Sequence, residues 1–268
     1  MNITDLKKIL KEYKISPNKK LGQNFLIDKN IVKKIIKAAD ISKEDIILEI
    51  GSGLGTLTKD LADQAKKVIA IEKDKGIAEI LKQSLKEYNN IEVIHEDILK
   101  MNNPVKGEYK IVSNLPYNIT SPVIRMFLES DNPPQQMTFV IQKEVAQRIC
   151  TLERMNMLAI SIQIYSQPKI ISYISQNCFY PKPKVDSAII NISNIKKPKG
   201  IDMKKFFKLV KAGFSSPRKQ LANNFQVLDI SREQTKRALA ECGLDPQARA
   251  QVLSIDHWKK LTTIFQIS

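Results

Sequence analysis

Residues 46–55 read Ile-Ile-Leu-Glu-Ile-Gly-Ser-Gly-Leu-Gly. A short apolar run followed at once by closely spaced glycines is typical of a buried parallel strand that turns into a helix. From this point on, apolar strands alternate with amphipathic helical stretches, which predicts a doubly wound, Rossmann-like α/β sheet. The strands expected for the central part of this sheet are 46–50, 67–72, 91–95, 110–112 and 137–142.

The pattern changes near residue 195. Three more strands are expected before that point, at 158–165, 169–174 and 187–192. The segment 195–200 is polar, basic and interrupted by proline and glycine, as linkers are. Helical periodicity then covers 202–213, 218–225, 231–242 and 257–265. We therefore predict a catalytic domain over 1–195, with a basic N-terminal arm at 1–28, and a small all-α domain over 196–268.

The chain is strongly basic, with 43 Lys and Arg residues against 28 Asp and Glu and a formal net charge of +15. The excess lies mainly at the two ends: residues 193–268 carry 15 basic and 6 acidic side chains, and residues 1–20 carry 6 and 2. Such an excess usually indicates a polyanionic partner, above all a nucleic acid. The alternative is a lysine-rich surface that is merely solvated.

Several classes of protein are disfavoured. Cys150, Cys178 and Cys242 are odd in number and widely spaced, and His95 and His257 are the only histidines. We therefore expect neither disulfides nor a metal site. No apolar run is long enough to span a membrane, and the first residues lack the apolar core of a signal peptide, so we expect a cytoplasmic protein without a membrane partner.

The glycine turn is the first part of a predicted cofactor site. Gly51 and Gly53 permit positive φ and close approach of a ligand, and Glu72 ends the second strand, where a carboxylate can accept hydrogen bonds from ribose hydroxyls. This much fits either NAD or S-adenosylmethionine. Asp97, after the third strand, favours S-adenosylmethionine, because it can accept from the exocyclic amine of an adenine. The alternative for Asp97 is a helix N-cap.

The residues after the fourth strand are Asn114, Leu115, Pro116 and Tyr117, at the sheet edge where open α/β sheets bind ligands. Asn114 offers an amide side chain, Leu115 a free carbonyl, Pro116 a rigid ring without an N–H, and Tyr117 an aromatic face. This set suits a flat, nitrogen-bearing substrate, so these four residues are the candidate catalytic residues. The alternative is an ordinary strand-to-loop turn.

Five stretches, in this order, resemble the ribosomal RNA adenine N6,N6-dimethyltransferase family over nearly the whole chain. They are Leu-Gly-Gln-Asn-Phe-Leu at 21–26, the glycine turn at 49–56, Asn-Leu-Pro-Tyr-Asn-Ile-Thr at 114–120, Gln-Lys-Glu-Val-Ala-Gln-Arg at 142–148 and the loop at 179–187. The small-subunit (KsgA-type) branch is the most similar. The resemblance implies S-adenosylmethionine-dependent dimethylation of two adjacent adenosines in a loop near the 3′ end of 16S rRNA, by a monomer acting on a pre-30S particle.

The resemblance also implies roles for residues around the donor. Asn24 and Leu26 are expected to pack against it from the N-terminal arm. Gly51, with Gly53 beside it, is expected to meet the amino-acid part of the donor. Glu72 would hold the ribose, Asp97 the adenine amine, and Asn114 the border between donor and target.

On the target side, Phe179 is expected to stack on the flipped base opposite Tyr117, whereas without the resemblance a core aromatic is the better interpretation. Lys211, Arg218 and Lys219 are expected to dock RNA, with the last two beginning a helix.

Two other functions stay open. One is the large-subunit (23S) branch of the same family, which confers macrolide-type resistance. The other is a non-catalytic nucleic-acid-binding protein on a methyltransferase scaffold. The stretches 114–120, 214–224 and 248–257 resemble the small-subunit branch better, and the intact glycine turn and Asn-Leu-Pro-Tyr favour catalysis.

Overall fold

The computed structural model of the protein describes residues 3–18 and 21–265. The chain forms two compact units. The first comprises the residues up to Gln147 together with Ser166–Ile195, and the second comprises Arg148–Tyr165 together with the residues from Lys196 onward. One boundary between the units lies at 195/196. Residues 148–165 belong to the second unit, whereas the prediction put them in a catalytic domain over 1–195.

The first unit contains nine strands, which form two sheets. The strands are β1 (Phe25–Leu26), β2 (Ile46–Ile50), β3 (Lys67–Glu72), β4 (Ile91–His95), β5 (Lys110–Asn114), β6 (Gln136–Gln142), β7 (Gln167–Ile174), β8 (Phe179–Tyr180) and β9 (Ser187–Ser193). The large sheet has the order β4-β3-β2-β5-β6-β9-β7, and β1 pairs with β8 separately. All pairs of the large sheet are parallel except those of β9, which is antiparallel to both neighbours. This order confirms the predicted doubly wound fold.

Eleven α-helices lie in the described part of the chain. They are α1 (Ile3–Glu12), α2 (Lys29–Ala39), α3 (Thr58–Ala62), α4 (Lys75–Ser84), α5 (Thr120–Glu129), α6 (Lys143–Cys150), α7 (Met157–Gln163), α8 (Met203–Gly213), α9 (Leu221–Asn224), α10 (Arg232–Glu241) and α11 (Ile255–Ile264). Short 3₁₀ helices occur at Ile98–Lys100, Tyr117–Ile119, Gln176–Cys178, Phe225–Leu228 and Ala250–Val252. None of the described helices is long and apolar enough to span a membrane.

The order of the sheet reverses between β2 and β5. Ile47 pairs with Lys110 and Leu48 with Ile111, and the Ser113 hydroxyl donates a hydrogen bond to the Ile50 carbonyl. The carboxyl ends of the two strands therefore lie side by side, and their loops diverge to opposite faces of the sheet. This crevice positions the functional site.

The N-terminal arm folds onto the first unit. Helix α1 buries Leu6 and Leu10 in an apolar cluster that also contains Phe25, Leu54 and Ile77. The pairing of β1 with β8 then fixes the end of the arm, with Phe25 opposite Tyr180 and Leu26 opposite Phe179. Phe25 thereby lies beside the glycine turn, since a Cβ at Gly53 would lie 3.2 Å from its ring.

The strand predicted at 158–165 is wrong, since this segment contains helix α7. Alternation of isoleucine with polar residues suggested a strand, but a short apolar run cannot distinguish a strand from a buried helix. The Asn156 side chain caps α7 by accepting from the Ala159 N–H at 3.1 Å. Ser161 and Gln163 bond to backbone carbonyls, at 2.9 Å and 2.8 Å. The polar positions are thus satisfied inside a helix.

The helix predicted to begin at Arg218 begins instead at Leu221, so Arg218 and Lys219 lie in the preceding turn. The Asn224 side chain holds this turn by donating to the Gly213 carbonyl at 2.6 Å and to the Ser216 carbonyl at 3.1 Å. The start of α9 thus depends on hydrogen bonds between Asn224 and residues that precede the helix, and local sequence patterns do not show such bonds.

We predict that Gly213→Ala destabilises the helical unit. A Cβ at Gly213 would lie 2.4 Å from the ring of Trp258, which is fully buried. Overpacking of this kind costs ~1–3 kcal/mol, which lowers the midpoint of thermal unfolding by roughly 3–10 °C. The matched control is Gly76→Ala, another helical glycine, whose added Cβ would meet Ile15 at an ordinary 3.4 Å. Calorimetry should show a loss for the first variant only; equal midpoints would contradict the prediction.

Candidate functional site

A cavity that is partly open to solvent lies at the carboxyl edge of β2, β3, β4 and β5. Ten of the predicted site residues line it. They are Asn24, Leu26, Gly51, Gly53, Glu72, Asp97, Asn114, Leu115, Pro116 and Tyr117. The structure therefore brings together the predicted cofactor residues and the whole Asn-Leu-Pro-Tyr stretch.

The glycine turn needs glycine for two reasons. Gly51 and Gly53 adopt φ values of +73° and +56°, which side chains with a Cβ rarely adopt. In addition, a Cβ at Gly51 would lie 3.0 Å from the Pro116 ring, and one at Gly53 would lie 3.2 Å from the Phe25 ring. The turn is thus in close contact with both the loop after β5 and the N-terminal arm.

Glu72 is a buried acidic residue at the end of β3, and it lines the cavity. One carboxylate oxygen accepts from the Gly53 N–H at 2.8 Å and the other from the Asp74 N–H at 2.9 Å. Burial raises the pKa of Glu72, although these backbone bonds favour its ionised form. Each oxygen retains a lone pair that can accept a ligand hydroxyl.

Asp97 lines the cavity and also caps a helix. The alternative interpretation of Asp97 as an N-cap is therefore confirmed. Its side chain accepts from the Leu99 N–H at 3.1 Å and caps the 3₁₀ helix that begins at Ile98. Its other oxygen lies 2.8 Å from the Lys73 ammonium. The hydrogen bond from Lys73 lowers the pKa of Asp97, so this carboxylate is ionised and acts only as an acceptor.

Glu49 is a cavity residue that the sequence reasoning did not identify. It is the penultimate residue of β2 and is 2% exposed, and its Oε2 has no hydrogen-bond partner in the described part of the chain. Burial raises the pKa of Glu49 to about 8. The signal in the sequence was an acidic residue within an otherwise apolar strand. A buried carboxyl oxygen without a partner indicates a place for a cationic or donating ligand group.

The Asn114 amide is held in one orientation. Its nitrogen donates to the Asn24 carbonyl at 2.9 Å, across the interface between the N-terminal arm and the end of β5. The amide oxygen consequently points away from that bond and accepts no hydrogen bond from the described residues. Since Asn114 lines the cavity, this oxygen is a candidate acceptor for a ligand there.

Tyr117 is the aromatic side chain of Asn-Leu-Pro-Tyr on the cavity wall. Its hydroxyl shares a 2.7 Å hydrogen bond with the Ser187 hydroxyl, at the start of β9. Burial raises the pKa of Tyr117, so the phenol stays neutral at ordinary pH. This residue can offer a ring face but no negative charge.

Phe179 does not line the cavity. The ring is 3% exposed and packs in the apolar core with Leu26, Val112 and Ile189. The alternative interpretation, a core aromatic, describes Phe179 in this structure. Stacking on a flipped base stays a prediction, and it requires the ring to leave this cluster.

The three predicted RNA-docking residues belong to the second unit. Lys211 lies in the last turn of α8, and Arg218 and Lys219 follow in the turn; all three side chains are exposed. Phe214, between them, is partly buried with its ring centroid 5.9 Å from that of Trp258. Among the described residues, no group of His, Cys, Asp or Glu side chains could hold a metal ion.

The family comparison agrees with the geometry of the cavity. A sequence profile described as ribosomal RNA adenine dimethylase matches residues 15–266. The chain belongs to this family. The match confirms the predicted resemblance and the predicted enzyme class, a methyltransferase of the ribosomal RNA adenine type.

Individual relatives support the same assignment. The ribosomal RNA small subunit methyltransferase A of Clostridium botulinum is 42% identical over 265 residues, covering 96% of each chain. A dimethyladenosine transferase from Plasmodium falciparum superposes with a TM-score of 0.75 at 28% identity, covering 88% of this chain and 95% of that one. The 23S rRNA methyltransferase ErmE also gives a TM-score of 0.75, at 26% identity and with 90% and 99% covered.

We predict that Glu49→Gln changes how stability depends on pH. The folded protein retains the Glu49 proton up to about pH 8, whereas the unfolded chain releases it near pH 4.5. Between these values the folded state binds more protons, so wild-type stability is full below pH 4.5 and falls as pH rises toward 8.

Glutamine cannot ionise, so the variant escapes this loss. Chemical unfolding should show equal stabilities near pH 4.5 and a gain of about 3–5 kcal/mol for the variant at pH 8. If the stabilities of variant and wild type differed by the same amount at both pH values, the raised pKa of Glu49 would be contradicted.

Proposed function

We propose that this chain dimethylates the N6 amine of two adjacent adenosines near the 3′ end of small-subunit (16S) rRNA, using S-adenosylmethionine. The observation that carries the proposal is the Asn114 amide, which is fixed by the Asn24 carbonyl and presents its oxygen to a cavity lined by a glycine turn. A hydrogen-bond acceptor fixed in this way suits a target amine that is positioned through the hydrogen bonds its N–H groups donate.

The residues of the cavity fit the proposed donor. Glu49 supplies a buried carboxyl group whose Oε2 lacks a hydrogen-bond partner among the described residues, which matches the ammonium group of a methionine moiety. Glu72 has lone pairs available for ribose hydroxyls, and the ionised Asp97 can accept from an adenine amine. Gly51 and Gly53 leave room that a Cβ would fill. When bound, the donor supplies an electrophilic methyl group on its sulfonium.

The protein's part in the reaction is to position the target amine. The Asn114 oxygen and the Leu115 carbonyl accept hydrogen bonds from its two N–H groups. This favours a tetrahedral nitrogen, whose lone pair is not delocalised into the adenine ring and is available to the methyl group. The loop that carries these acceptors is rigid, because Pro116 packs on Gly51 and the Leu115 N–H bonds to the Val140 carbonyl at 3.2 Å. Positioning of this kind supplies much of the rate enhancement of a transfer between two bound groups.

No general base is required at this site. Among the described residues that line the cavity there is no histidine, Lys73 is paired with Asp97, and the Tyr117 phenol is neutral. After one methyl transfer the amine still has one N–H, which one of the two acceptors can hold for the second transfer. The methylated nitrogen is acidic while it carries a positive charge, and it releases the surplus proton to solvent, to which the cavity is partly open.

The target base must leave its stack to enter the cavity, so an adenine in a loop is favoured over a paired one. Tyr117 offers a ring face worth ~1–3 kcal/mol to the flipped base. The basic second unit, with Lys211, Arg218 and Lys219 exposed, is proposed to bind the surrounding rRNA. Because one chain supplies the whole cavity, a monomer is sufficient.

The small-subunit branch is favoured over the large-subunit branch by the degree of similarity. The small-subunit relative is 42% identical, whereas the 23S rRNA enzyme is 26% identical. We therefore propose a small-subunit precursor, the pre-30S particle, as the substrate, and the cytoplasm, where such particles assemble, as the location.

We predict that Asn114→Ala lowers kcat by about 10²–10³ while leaving donor affinity within a few fold, since it removes an acceptor used in the transfer step. The companion variant, Glu72→Ala, should weaken donor binding instead. Calorimetric titration with S-adenosylhomocysteine and single-turnover methylation separate the two effects. Normal turnover of Asn114→Ala would show that the catalytic assignment is wrong.

A second prediction concerns proton release. The Glu49 carboxyl is largely protonated at pH 7 in the ligand-free protein and must ionise to pair with the donor's ammonium group. Binding of S-adenosylhomocysteine should release close to one proton, measured by titration in two buffers of different ionisation enthalpy. Glu49→Gln should abolish the release. Its persistence in the variant would assign the proton to another group.

The substrate is tested by labelled methyl transfer to under-methylated small subunits and to large-subunit rRNA side by side. The proposal predicts label in the small-subunit rRNA, recovered as N6,N6-dimethyladenosine. Label in the large-subunit RNA alone would instead place the chain in the 23S branch. Absence of label in both, with normal donor binding, would support the non-catalytic alternative.

A further inference from the structure

Tyr173 is an exposed aromatic residue that neither the core nor the cavity explains. It is the penultimate residue of β7, and its side chain is 51% exposed, the largest fraction among the large apolar side chains described in the first unit. A tyrosine ring exposed to this extent contributes little of the stability that buried aromatic rings usually give. The exposure of Tyr173 therefore indicates a role at the surface.

The ring is held in place from one side by helix α6. The Lys143 ammonium lies 5.1 Å from the ring centroid, and the Gln147 amide nitrogen lies 3.5 Å from the Tyr173 hydroxyl. Lys143 itself is fixed at its backbone, which donates to the Asp186 carbonyl at 3.0 Å. The outward ring face is thus presented in one orientation, which reduces the entropy lost when a partner packs against it.

Tyr173 lies at the same sheet edge as the catalytic loop. Strand β7 runs parallel to β5 and β6, since both β6 and β7 are antiparallel to β9. Ser187, which bonds to Tyr117, pairs with Ile174, the residue after Tyr173. Three strand spacings separate β5 from β7, or about 15 Å. Four or five stacked nucleotides cover this distance at ~3.4 Å each.

We propose that Tyr173 and Lys143 form a docking surface for an unpaired nucleotide of the same RNA, a few positions from the target adenosine. The base stacks on the outward face of Tyr173, and the Lys143 ammonium lies near its phosphate. An aromatic face beside a cation is the combination that single-stranded nucleic acids bind. The inference rests on the proposed function for the identity of the RNA, whereas the stacking surface itself does not depend on methyl transfer.

The test measures the affinity of the full-length protein for a short, fluorescently labelled, unpaired RNA with one central adenine. Tyr173→Ala should raise Kd about tenfold, in the range of one stacked base. Tyr173→Phe keeps the ring and should stay within about twofold of wild type. Ile171→Ala, at an exposed residue of the same strand, is the matched control and should also stay within about twofold.

Salt and activity provide independent readouts. Lys143→Gln should reduce the slope of log affinity against log salt by ~0.7, the effect of one lost phosphate contact. With small subunits as substrate, Tyr173→Ala should raise KM and leave kcat unchanged. If small subunits prove not to be the substrate, the proposed function fails, yet the difference between Tyr173→Ala and Tyr173→Phe on unpaired RNA still decides this inference.

Three outcomes would overturn it. Wild-type RNA affinity in Tyr173→Ala would exclude a stacking contact. Equal losses for Tyr173→Phe and Tyr173→Ala would show that the hydroxyl matters and the ring does not. A loss seen only with intact small subunits, and not with RNA, would indicate that the surface contacts a ribosomal protein.

Discussion

The parallel pairing of β2 with β5 is the constraint on which the functional site depends. This pairing lies where the strand order reverses, so the loops that follow the two strands meet in one crevice. Gly51 can then approach Pro116 so closely that a Cβ would lie 3.0 Å from its ring. The glycine turn and the loop after β5 thus become neighbours because β2 pairs with β5.

The chain is basic as a whole, whereas the lining of its cavity is acidic. The chain carries a net charge of +15, yet the cavity wall holds Glu49 and Glu72, both buried, and the ionised Asp97. Acidic groups in a partly desolvated crevice suit a donor with an ammonium group, a sulfonium and ribose hydroxyls. Basic groups at the surface suit the RNA that brings the target. Under the proposed function, the two ligands would be selected by charges of opposite sign.

The sequence predicted the central sheet well because each of its strands is a short apolar run bounded by turn residues. It also predicted glycines and acidic residues that the structure places around one cavity, since such residues at strand ends have a physical reason to be there. It failed at residues 158–165, where α7 is apolar on several sides and alternation is uninformative, and at Arg218, where Asn224 holds a turn. The orientation of the Asn114 amide depends on Asn24, 90 residues away in sequence, and no local pattern encodes such a contact.

The central claim is that two acceptors hold a neutral amine and that no side chain removes its proton before methyl transfer. The most direct measurement is the single-turnover rate of methylation, with donor and RNA saturating, between about pH 6.5 and 9. Because no group at the loop after β5 has to change its protonation state, we expect the rate to vary by less than about threefold. A rate that rises tenfold per pH unit over part of this range would reveal a general base and contradict the account.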